Sequence, residues 1–573
     1  MAKTPTASIP DAELYDCVAD RFAPQYDITS LLTNVHREHA AEDFDAAAIR
    51  ELWRRHAAAD QRKACRCELS AYLHIPFCRQ KCAYCCYYSV ALEQPVWLSR
   101  YLDSLRAQLD YFAPAFAGRR FETLYIGGGT PSLLSPRQIR DLLGPLFAQY
   151  SFCDAGERAF EFNPVSVSAA KLAVLEGFGF NRVSMGVQSF RPEVLRRENR
   201  GYQTHEAVAR AVRLILGRGR FILNVDLLVG LRGDDRGSFL KTLDSLLALQ
   251  PHTVTAYPVK PTVSYLADHY GGDRGLFEAD LARRYGEVGR EAAVVARRHG
   301  YSLRPERPSL RDNDWLFRRD SPRRLKYVYD DIAPQPVSVF SLGPTARSRI
   351  AGTLAYGQKG TFEGAFNPKA PVWQGLRLNR RWEMHKFALR ELLDRGAVSR
   401  KRFRELFGSG LTAAFPEASK VLRPAPGGDD LRLGGGPPRR LFLAALHFLD
   451  REDLEDMSEV CFTLGSARGL WRLRVRRLAP GEPCLSRAGE LGLILEGKPV
   501  PLLAPRLDEL LLKIVTAAFL QAAGRESVVS AIRIAPALLA VLESLLSRLE
   551  RSRRIPRGAL SLARETSREG GRR

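Results

Sequence analysis

The stretch HIPFCRQKCAYCC, residues 74–86, places four of the chain's ten cysteines within the nine positions from Cys78 to Cys86. The run LSAYLHIPF (69–77) overlaps its start and is rich in apolar and aromatic residues, which is typical of a β-strand. The cysteines therefore follow the end of a predicted strand. In parallel α/β barrels this edge of the sheet carries the active site.

One pattern repeats along the chain: a short apolar or β-branched run, then a glycine or polar loop, then a helical pattern. The six strand candidates are residues 69–77, 122–129, 158–163, 182–189, 221–230 and 253–260. Such alternation predicts successive βα units and a parallel sheet, an α/β fold. Periodicity by itself leaves a barrel and a doubly wound sheet as alternatives.

Helix boundaries between these strands have recognisable capping residues. Ser135 followed by Pro136 predicts one helix start, and Ser168 predicts another for a helix that stops at Gly177. A longer helical pattern runs from about residue 275 to 299. Beyond residue 300 the rhythm is lost, apart from SLGPTARSR (341–349) and a compact helical segment, RWEMHKFALRELLDRG (381–396).

Each predicted strand ends in chemically distinctive residues. After the cysteines of the first strand, these are Gly127 to Thr130, Glu161 with Asn163, Gln188, Asp226 and Tyr257. Because the carboxyl ends of parallel strands share one edge, this placement predicts a single site at the rim of the sheet.

Bulk composition narrows the function classes. The chain has 573 residues and a formal net charge of +22, with no apolar run long enough to cross a bilayer and no secretory signal. These features predict a cytoplasmic protein with reduced thiols. Nucleic-acid modification is a weak hypothesis, because the arginines are spread along the chain and no RNA-binding module is recognisable.

Cys78, Cys82 and Cys85 form C-x3-C-x2-C, and Cys86 follows directly. Structural zinc normally uses two short cysteine or histidine hairpins, and no second C-x2-C lies downstream, although Cys65 and Cys67 are available as distant ligands. Three thiolates at this spacing suit three irons of a [4Fe–4S] cluster and leave the fourth iron for another ligand.

The cysteine motif resembles that of radical S-adenosylmethionine (SAM) enzymes, in particular the oxygen-independent coproporphyrinogen III oxidase group with its heme-chaperone and class C methyltransferase relatives. The resemblance continues through YIGGGTPSLL (125–134), FEFNP (160–164), FNRVSMGVQSF (180–190) and NVDLLVGL (224–231). It implies a partial (βα)6 barrel with a small, mostly helical C-terminal domain.

The resemblance also implies the site residues. Cys78, Cys82 and Cys85 would bind the cluster, whose fourth iron would be chelated by SAM. The residues implied to bind cofactor are Gly127, Gly128, Gly129, Thr130, Glu161, Gln188 and Asp226. Those implied to act on cofactor and substrate are Tyr72, Gln188, Arg200 and Asp226. For Arg200 and Tyr72 an ordinary structural role is an equal alternative.

The resemblance implies that the protein cleaves SAM reductively to a 5′-deoxyadenosyl radical, which acts on an anionic tetrapyrrole precursor. It implies either one or two bound SAM molecules. An electron donor such as flavodoxin or ferredoxin is implied as partner. Two alternatives stay open: a methyltransferase that uses a second SAM on heme or a natural product, and a heme chaperone. Tyr87 lies where true coproporphyrinogen oxidases have an extra cysteine, which keeps these alternatives in view.

The predicted domain organisation follows from these patterns. It comprises an N-terminal extension (1–68), the barrel (69–300), a family-type region (301–425), a Pro- and Gly-rich linker (426–440), a further domain (441–552) and a basic tail (553–573).

Overall fold

A computed structural model of the chain describes residues 42–61, 68–286, 288–304, 314–319, 336–358, 373–378, 380–416, 422–426 and 428–433, and five strands between 459 and 564. One compact unit spans Glu42–Asn379, and the described residues from Arg380 onward belong to another. Cys65, Cys67 and parts of the predicted extension, linker and tail lie outside the described residues.

The strands of the first unit are β1 (Glu42–Phe44), β2 (Glu68–Ile75), β3 (Phe77–Cys78), β4 (Val90–Ala91), β5 (Arg120–Gly128), β6 (Ser151–Phe162), β7 (Arg182–Gln188), β8 (Ile222–Val229), β9 (Thr253–Pro258), β10 (Tyr301–Arg304), β11 (Trp315–Arg319), β12 (Val337–Leu342), β13 (Arg347–Ile350), β14 (Leu354–Gln358) and β15 (Trp373–Arg377). Its α-helices are α1 (Ala46–Gln61), α2 (Pro95–Phe112), α3 (Pro136–Gln149), α4 (Ala169–Gly177), α5 (Pro192–Arg197), α6 (His205–Gly217), α7 (Arg236–Ala248), α8 (Val263–Tyr270), α9 (Arg274–Tyr285) and α10 (Val288–Arg298).

The six predicted strands are confirmed as one parallel set in the order β2-β5-β6-β7-β8-β9. The outer edge of β2 pairs with β12 and the outer edge of β9 pairs with β11. The six strands therefore do not close on themselves, as the predicted partial (βα)6 barrel requires.

Two boundaries differ from the prediction. The first strand is divided, because Pro76 lies between β2 and β3 and proline has no amide hydrogen for the ladder. The helix predicted over 275–299 is two helices, α9 and α10, with Gly286 after the first; glycine is unfavourable inside a helix. The strand β12, parallel to β2, was not predicted.

The capping predictions hold. Ser135 Oγ accepts a hydrogen bond from the Gln138 amide at 3.2 Å, and Gln138 Oε1 accepts from the Ser135 amide at 2.9 Å, a complete capping box at the start of α3. Ser168 Oγ accepts from the Lys171 amide at the start of α4.

Alternation along the core strands gives the sheet two unlike faces. On β7 and β8, one face carries fully buried apolar side chains such as Val183, Met185 and Val225, which join the main hydrophobic cluster. The other face carries polar residues, including Ser184 and Asn224. Because side chains alternate across a strand, Ser184 and Asn224 share one face of the sheet, opposite the face that packs in the hydrophobic cluster.

The second unit contains helices α11 (Arg380–Arg395), α12 (Arg400–Phe407) and α13 (Leu411–Ala414) with a small sheet of β16 (Ala397–Val398), β17 (Leu422–Pro424) and β18 (Leu431–Leu433). The predicted helical segment at 381–396 is confirmed as α11. The described strands that follow are β19 (Glu459–Ser466), β20 (Gly469–Arg477), β21 (Leu491–Glu496), β22 (Val529–Ile534) and β23 (Leu562–Arg564), and they form one sheet. Among the described residues, no helix is long and apolar enough to cross a membrane.

Candidate cofactor site

The cysteine-bearing segment is a closed loop. Its ends are held where β3 runs parallel to β4, with Cys78 opposite Ala91. The Leu92 amide donates to the Cys78 carbonyl at 2.8 Å, and within the loop the Cys85 amide donates to the Cys82 carbonyl at 3.2 Å. The three predicted ligands therefore belong to one loop with a hydrogen-bonded base.

Exposure separates the four cysteines of this loop. Cys78 is buried, Cys82 and Cys85 are partly buried, and Cys86 is exposed. Burial raises the pKa of the Cys78 thiol, and it raises the pKa of Cys85 to about 11. A coordinating metal reverses this effect, because a metal-bound thiol is deprotonated outright. The exposure of Cys86 agrees with its omission from the predicted ligand set.

His74, at the end of β2, ties this loop to the sheet. Its Nε2 lies 3.0 Å from the Tyr88 carbonyl, and its Nδ1 lies 3.0 Å from the Tyr72 hydroxyl. Burial lowers the pKa of His74 to about 4, so the ring is neutral near pH 7. Because a carbonyl only accepts, Nε2 carries the hydrogen and Nδ1 accepts from Tyr72. Tyr72 thus orients His74 from within the sheet.

The glycines at the end of β5 allow close packing that a side chain would prevent. Gly128 has φ +115°, and a Cβ there would lie 2.7 Å from the His74 ring. A Cβ on Gly129 would lie 2.6 Å from the Phe77 carbonyl oxygen. The Thr130 hydroxyl donates to Cys78 Sγ at 3.4 Å. This turn brings the backbone against the cysteine loop, which only glycine allows.

Glu161, on β6, accepts two hydrogen bonds from neighbouring β5. The Tyr125 hydroxyl donates to Oε1 at 2.7 Å and the Gly128 amide donates to Oε2 at 3.1 Å. Burial outweighs these bonds and raises the pKa of Glu161 to about 7. A Cβ on Gly127 would collide with Tyr125 and Glu161, at 2.7 and 2.9 Å.

Asp226, on β8, lies in a network of short polar side chains on the polar face. Asn224 Nδ2 donates to its Oδ1 at 2.7 Å, and the Ser184 hydroxyl donates to its Oδ2 at 3.2 Å. Thr253 and Thr255 donate to Asn224 Oδ1 and so fix the orientation of that amide. Burial raises the pKa of Asp226 to about 6.

Gln188 ends β7, and Arg200, which follows α5, contacts the cysteine loop. Gln188 has φ 72°, at a register shift between β7 and β8, and its Oε1 is buried without a hydrogen-bond partner among the described residues. Arg200 is 6% exposed, and its Nη1 donates to Cys82 Sγ at 3.6 Å and to the Tyr84 hydroxyl at 3.5 Å. Left-handed backbone at a non-glycine residue is typical of functional sites.

Sheet register places two of the predicted residues opposite residues that were not predicted. Tyr72 lies opposite Tyr125, and Asp226 lies opposite Gly186, two residues before Gln188. The tyrosine rings stack with centroids 6.0 Å apart. The parallel strands β5, β6 and β7 end at Gly128, Phe162 and Gln188, so Gly128, Glu161 and Gln188 lie at the same edge of the sheet, whereas Cys86 is exposed.

The sequence prediction missed several residues that shape this site. Tyr125 binds Glu161, Tyr84 and Gln203 bind Arg200, and the Asn163 amide donates to the Tyr202 hydroxyl at 2.8 Å. Tyr125 and Tyr84 lie within the glycine and cysteine motifs, and their positions there could have identified them as site residues. Gln203 and Tyr202 follow Arg200 in a loop whose spacing carries no signal by itself.

Comparison with known proteins identifies this arrangement. The model of the radical SAM superfamily matches residues 72–246, which include the cysteine loop and the strands from β5 to β8. Residues 72–246 form a radical SAM domain. Proteins of this family use a [4Fe–4S] cluster and SAM, so the cofactors expected from the cysteine motif are those of the family.

Relatives of the radical SAM domain include two named groups. The chain is 26% identical over 390 residues to oxygen-independent coproporphyrinogen III oxidase of Salmonella typhimurium, covering 67% of this chain and 82% of that protein. It is 38% identical over 189 residues to the heme chaperone HemW of Escherichia coli, covering 33% of this chain and 50% of that protein.

Among solved structures, the fold matches coproporphyrinogen III oxidase (HemN) from Escherichia coli with a TM-score of 0.57 at 22% identity. The match covers 76% of this chain and 98% of that chain. This likeness confirms the fold of the chain beyond the radical SAM domain itself.

The residues of the radical SAM domain fit an iron–sulfur cluster chemically. Three cysteines on one loop can supply thiolate ligands, and N–H and O–H donors from Arg200 and Thr130 lie beside two of the sulfurs. No three His, Cys, Asp or Glu side chains of the described residues converge on a single ion. Thiolates of a cluster bind different irons and do not need to converge on one point.

Proposed function

We propose that this chain is a radical SAM enzyme that acts on a tetrapyrrole precursor, as the coproporphyrinogen oxidases it resembles do. The observation that carries this proposal is the extent of the similarity. It covers 82% of the Salmonella oxidase and therefore extends well beyond the radical SAM domain at residues 72–246.

In this proposal, Cys78, Cys82 and Cys85 hold the cluster. A [4Fe–4S] cluster held by these residues would, when reduced, supply the electron for cleavage of SAM to methionine and a 5′-deoxyadenosyl radical, as the family resemblance implies. A small one-electron carrier such as flavodoxin or ferredoxin is proposed as the reductant.

In this proposal, the protein's own residues bind and orient SAM. The Gly127–Gly129 backbone is proposed to lie against the methionine part of SAM, because glycine allows a ligand to approach the backbone closely. Glu161 is proposed to accept a hydrogen bond from the SAM amino group or ribose. Asp226, fixed by Asn224 and Ser184, presents a second carboxyl on the same polar face.

For the substrate, the oxidase reaction would convert a propionate side chain to a vinyl group. A hydrogen atom of the propionate would pass to the 5′-deoxyadenosyl radical and give 5′-deoxyadenosine. Loss of carbon dioxide and of one electron, which would pass to an external one-electron acceptor, would then leave the vinyl group. Arg182 and Arg200 are engaged with Glu157 and with Cys82, so other cations of the rim are proposed to bind the substrate carboxylates.

The test is anaerobic product analysis. The full chain is reconstituted with iron and sulfide, reduced, and supplied with SAM and coproporphyrinogen III. Formation of 5′-deoxyadenosine together with loss of carbon dioxide from the substrate supports the proposal. S-adenosylhomocysteine with a methylated product would contradict it in favour of methyl transfer.

The second candidate function is heme binding and transfer. The 38% identity to HemW supports it, although that similarity covers only half of HemW. The same reconstituted protein separates the two candidates: stable stoichiometric heme binding without turnover of coproporphyrinogen favours the chaperone. Turnover with no retained heme favours the enzyme.

A further inference from the structure

Gln203 links the Arg200 side chain to the backbone on both sides of Gln188. Its side chain is 4% exposed and lies in the loop between α5 and α6. Its Oε1 accepts from Arg200 Nε at 3.1 Å, and its Nε2 donates to the carbonyls of Val187 at 2.8 Å and Ser189 at 3.2 Å. The amide has one possible orientation, because Arg200 can only donate and the two carbonyls can only accept.

The two carbonyls lie on either side of Gln188, which has φ 72°. A left-handed residue that is not glycine persists only where its surroundings hold it. The Gln203 side-chain amide that accepts from Arg200 therefore also holds the backbone turn at the end of β7 through two hydrogen bonds.

The Arg200 guanidinium is fixed at all three nitrogens. Besides Nε on Gln203, Nη2 donates to the Gly186 carbonyl, and Nη1 donates to Cys82 Sγ and to the Tyr84 hydroxyl. A planar guanidinium with every nitrogen bound has a single orientation, and here that orientation places N–H against a sulfur of the cysteine loop. Cys82 and Arg200 are 118 residues apart in the chain.

We propose that Gln203 is a positioning residue that sets Arg200 against Cys82, and that Arg200 thereby raises the reduction potential of the bound cluster. Reduction adds a negative charge to the cluster. A desolvated positive charge that hydrogen-bonds a ligand sulfur stabilises the reduced state more than the oxidised state. The inference rests on the proposed binding of a cluster by Cys78, Cys82 and Cys85.

A merely structural role would predict a different result. If Arg200 only packs beneath the cysteine loop, its replacement would reduce the amount of cluster bound without changing the potential of what remains. The midpoint potential is therefore the measurement that separates the two roles, because it is measured on cluster that is present.

The experiment is a redox titration of the reconstituted full chain, followed by electron paramagnetic resonance, with iron and sulfide measured on each sample. The variants are Arg200→Met, Arg200→Lys and Gln203→Leu. Gln108→Leu is the matched control, because Gln108 is also buried but bonds to Ser104 within α2. We expect potentials shifted downward in Arg200→Met and Gln203→Leu, a smaller shift in Arg200→Lys, which keeps the charge, and none in the control.

Potentials of Arg200→Met and Gln203→Leu equal to the wild-type value would overturn the inference. If Gln203→Leu does not fold, Gln203→Met, which keeps the length of the side chain and removes its amide, takes its place: a lowered potential supports the inference and an unchanged one overturns it. A wild-type chain that takes up no cluster would contradict the proposed function itself. A wild-type cluster with unshifted variants would contradict only the role of Gln203 and Arg200.

Discussion

The hydroxyl of Tyr125 donates a hydrogen bond to Oε1 of Glu161 at 2.7 Å, joining adjacent strands on the polar face of the barrel. Burial outweighs this bond and raises the pKa of the Glu161 carboxyl from an ordinary value of 4.5 to about 7. Glu161 therefore changes its protonation state near neutral pH, so its proposed contact with SAM is sensitive to pH.

Stability is predicted to depend on pH through Glu161. Between pH 4.5 and about 7 the folded protein keeps a proton that the unfolded chain releases, so the free energy of unfolding falls as the pH rises through this window. The total effect is on the order of 3 kcal/mol. Denaturant unfolding of cluster-free protein at several pH values should show this fall as the difference between wild type and Glu161→Gln. A difference that does not vary with pH would show that folding does not raise the pKa of Glu161.

SAM binding gives a second readout of the same residue. Above pH 7, where Glu161 is ionised, Glu161→Gln keeps the size of the side chain but removes the charge. Loss of a charge-assisted hydrogen bond should then weaken SAM binding to the cluster-loaded protein by about 10-fold or more. Calorimetric titration measures this. The Tyr125→Phe variant, which keeps the carboxyl, should retain tighter SAM binding than Glu161→Gln.

His74 is predicted to act in the opposite direction on stability. Burial lowers its pKa from 6.5 to about 4, so the unfolded chain takes up a proton that the folded protein excludes. Stability present above pH 6.5 is therefore lost as the pH falls toward 4, by about 3 kcal/mol. The difference in unfolding free energy between wild type and His74→Asn should shrink over this range. If this difference stayed constant with pH, folding would not lower the pKa of His74, and the folded protein would take up the proton as the unfolded chain does.

Cluster binding is predicted to distinguish two cysteines of the loop. Cys82→Ala should reduce iron from about four per chain to near none, because a proposed ligand is lost. Cys86→Ala should keep the wild-type content, because its thiol is exposed and lies outside the proposed ligand set. Iron and sulfide analysis after anaerobic reconstitution measures both, and unchanged iron in Cys82→Ala would contradict the ligand assignment.

Replacing Gly128 by alanine should destabilise the fold by about 3 kcal/mol, since φ is +115° and the new Cβ would lie 2.7 Å from the His74 ring. Gly217 is the control: it ends α6, and a Cβ there meets no atom within 4 Å. Gly217→Ala should be neutral or stabilise by up to about 1 kcal/mol. Urea unfolding of both variants tests the pair, and equal stabilities would refute the steric argument.

The buried ion pair between Arg182 and Glu157 is predicted to be far more costly to break than an exposed one. Its atoms are 2.8 Å apart and its side chains are 5% and 10% exposed. Glu157→Ala removes the carboxylate that balances a buried charge and should cost about 3–5 kcal/mol. The exposed pair Arg274–Glu278 is the control, and Glu278→Ala should cost less than about 1 kcal/mol. Similar losses measured by urea unfolding would contradict this.

Much of the fold could be predicted because its signals are local. Each βα unit has its apolar run and its capping residues within a short window, and Ser135 and Ser168 mark helix starts by chemistry that involves only their own first turns. The strand β12 could not be predicted in this way. It reaches β2 from more than 260 positions away, and no local pattern specifies that pairing.

The sequence by itself determined the order of strands and helices, the cysteine spacing and the rim placement of Glu161, Gln188 and Asp226, because these depend on neighbours along the chain. Only the tertiary structure decided which side chains touch. Register placed Tyr125 against Glu161, and the fold carried Arg200 to Cys82 across 118 positions. Hydrogen bonds and buried charges depend on distances of a few ångströms between strands and loops, and those distances exist only once the barrel has assembled.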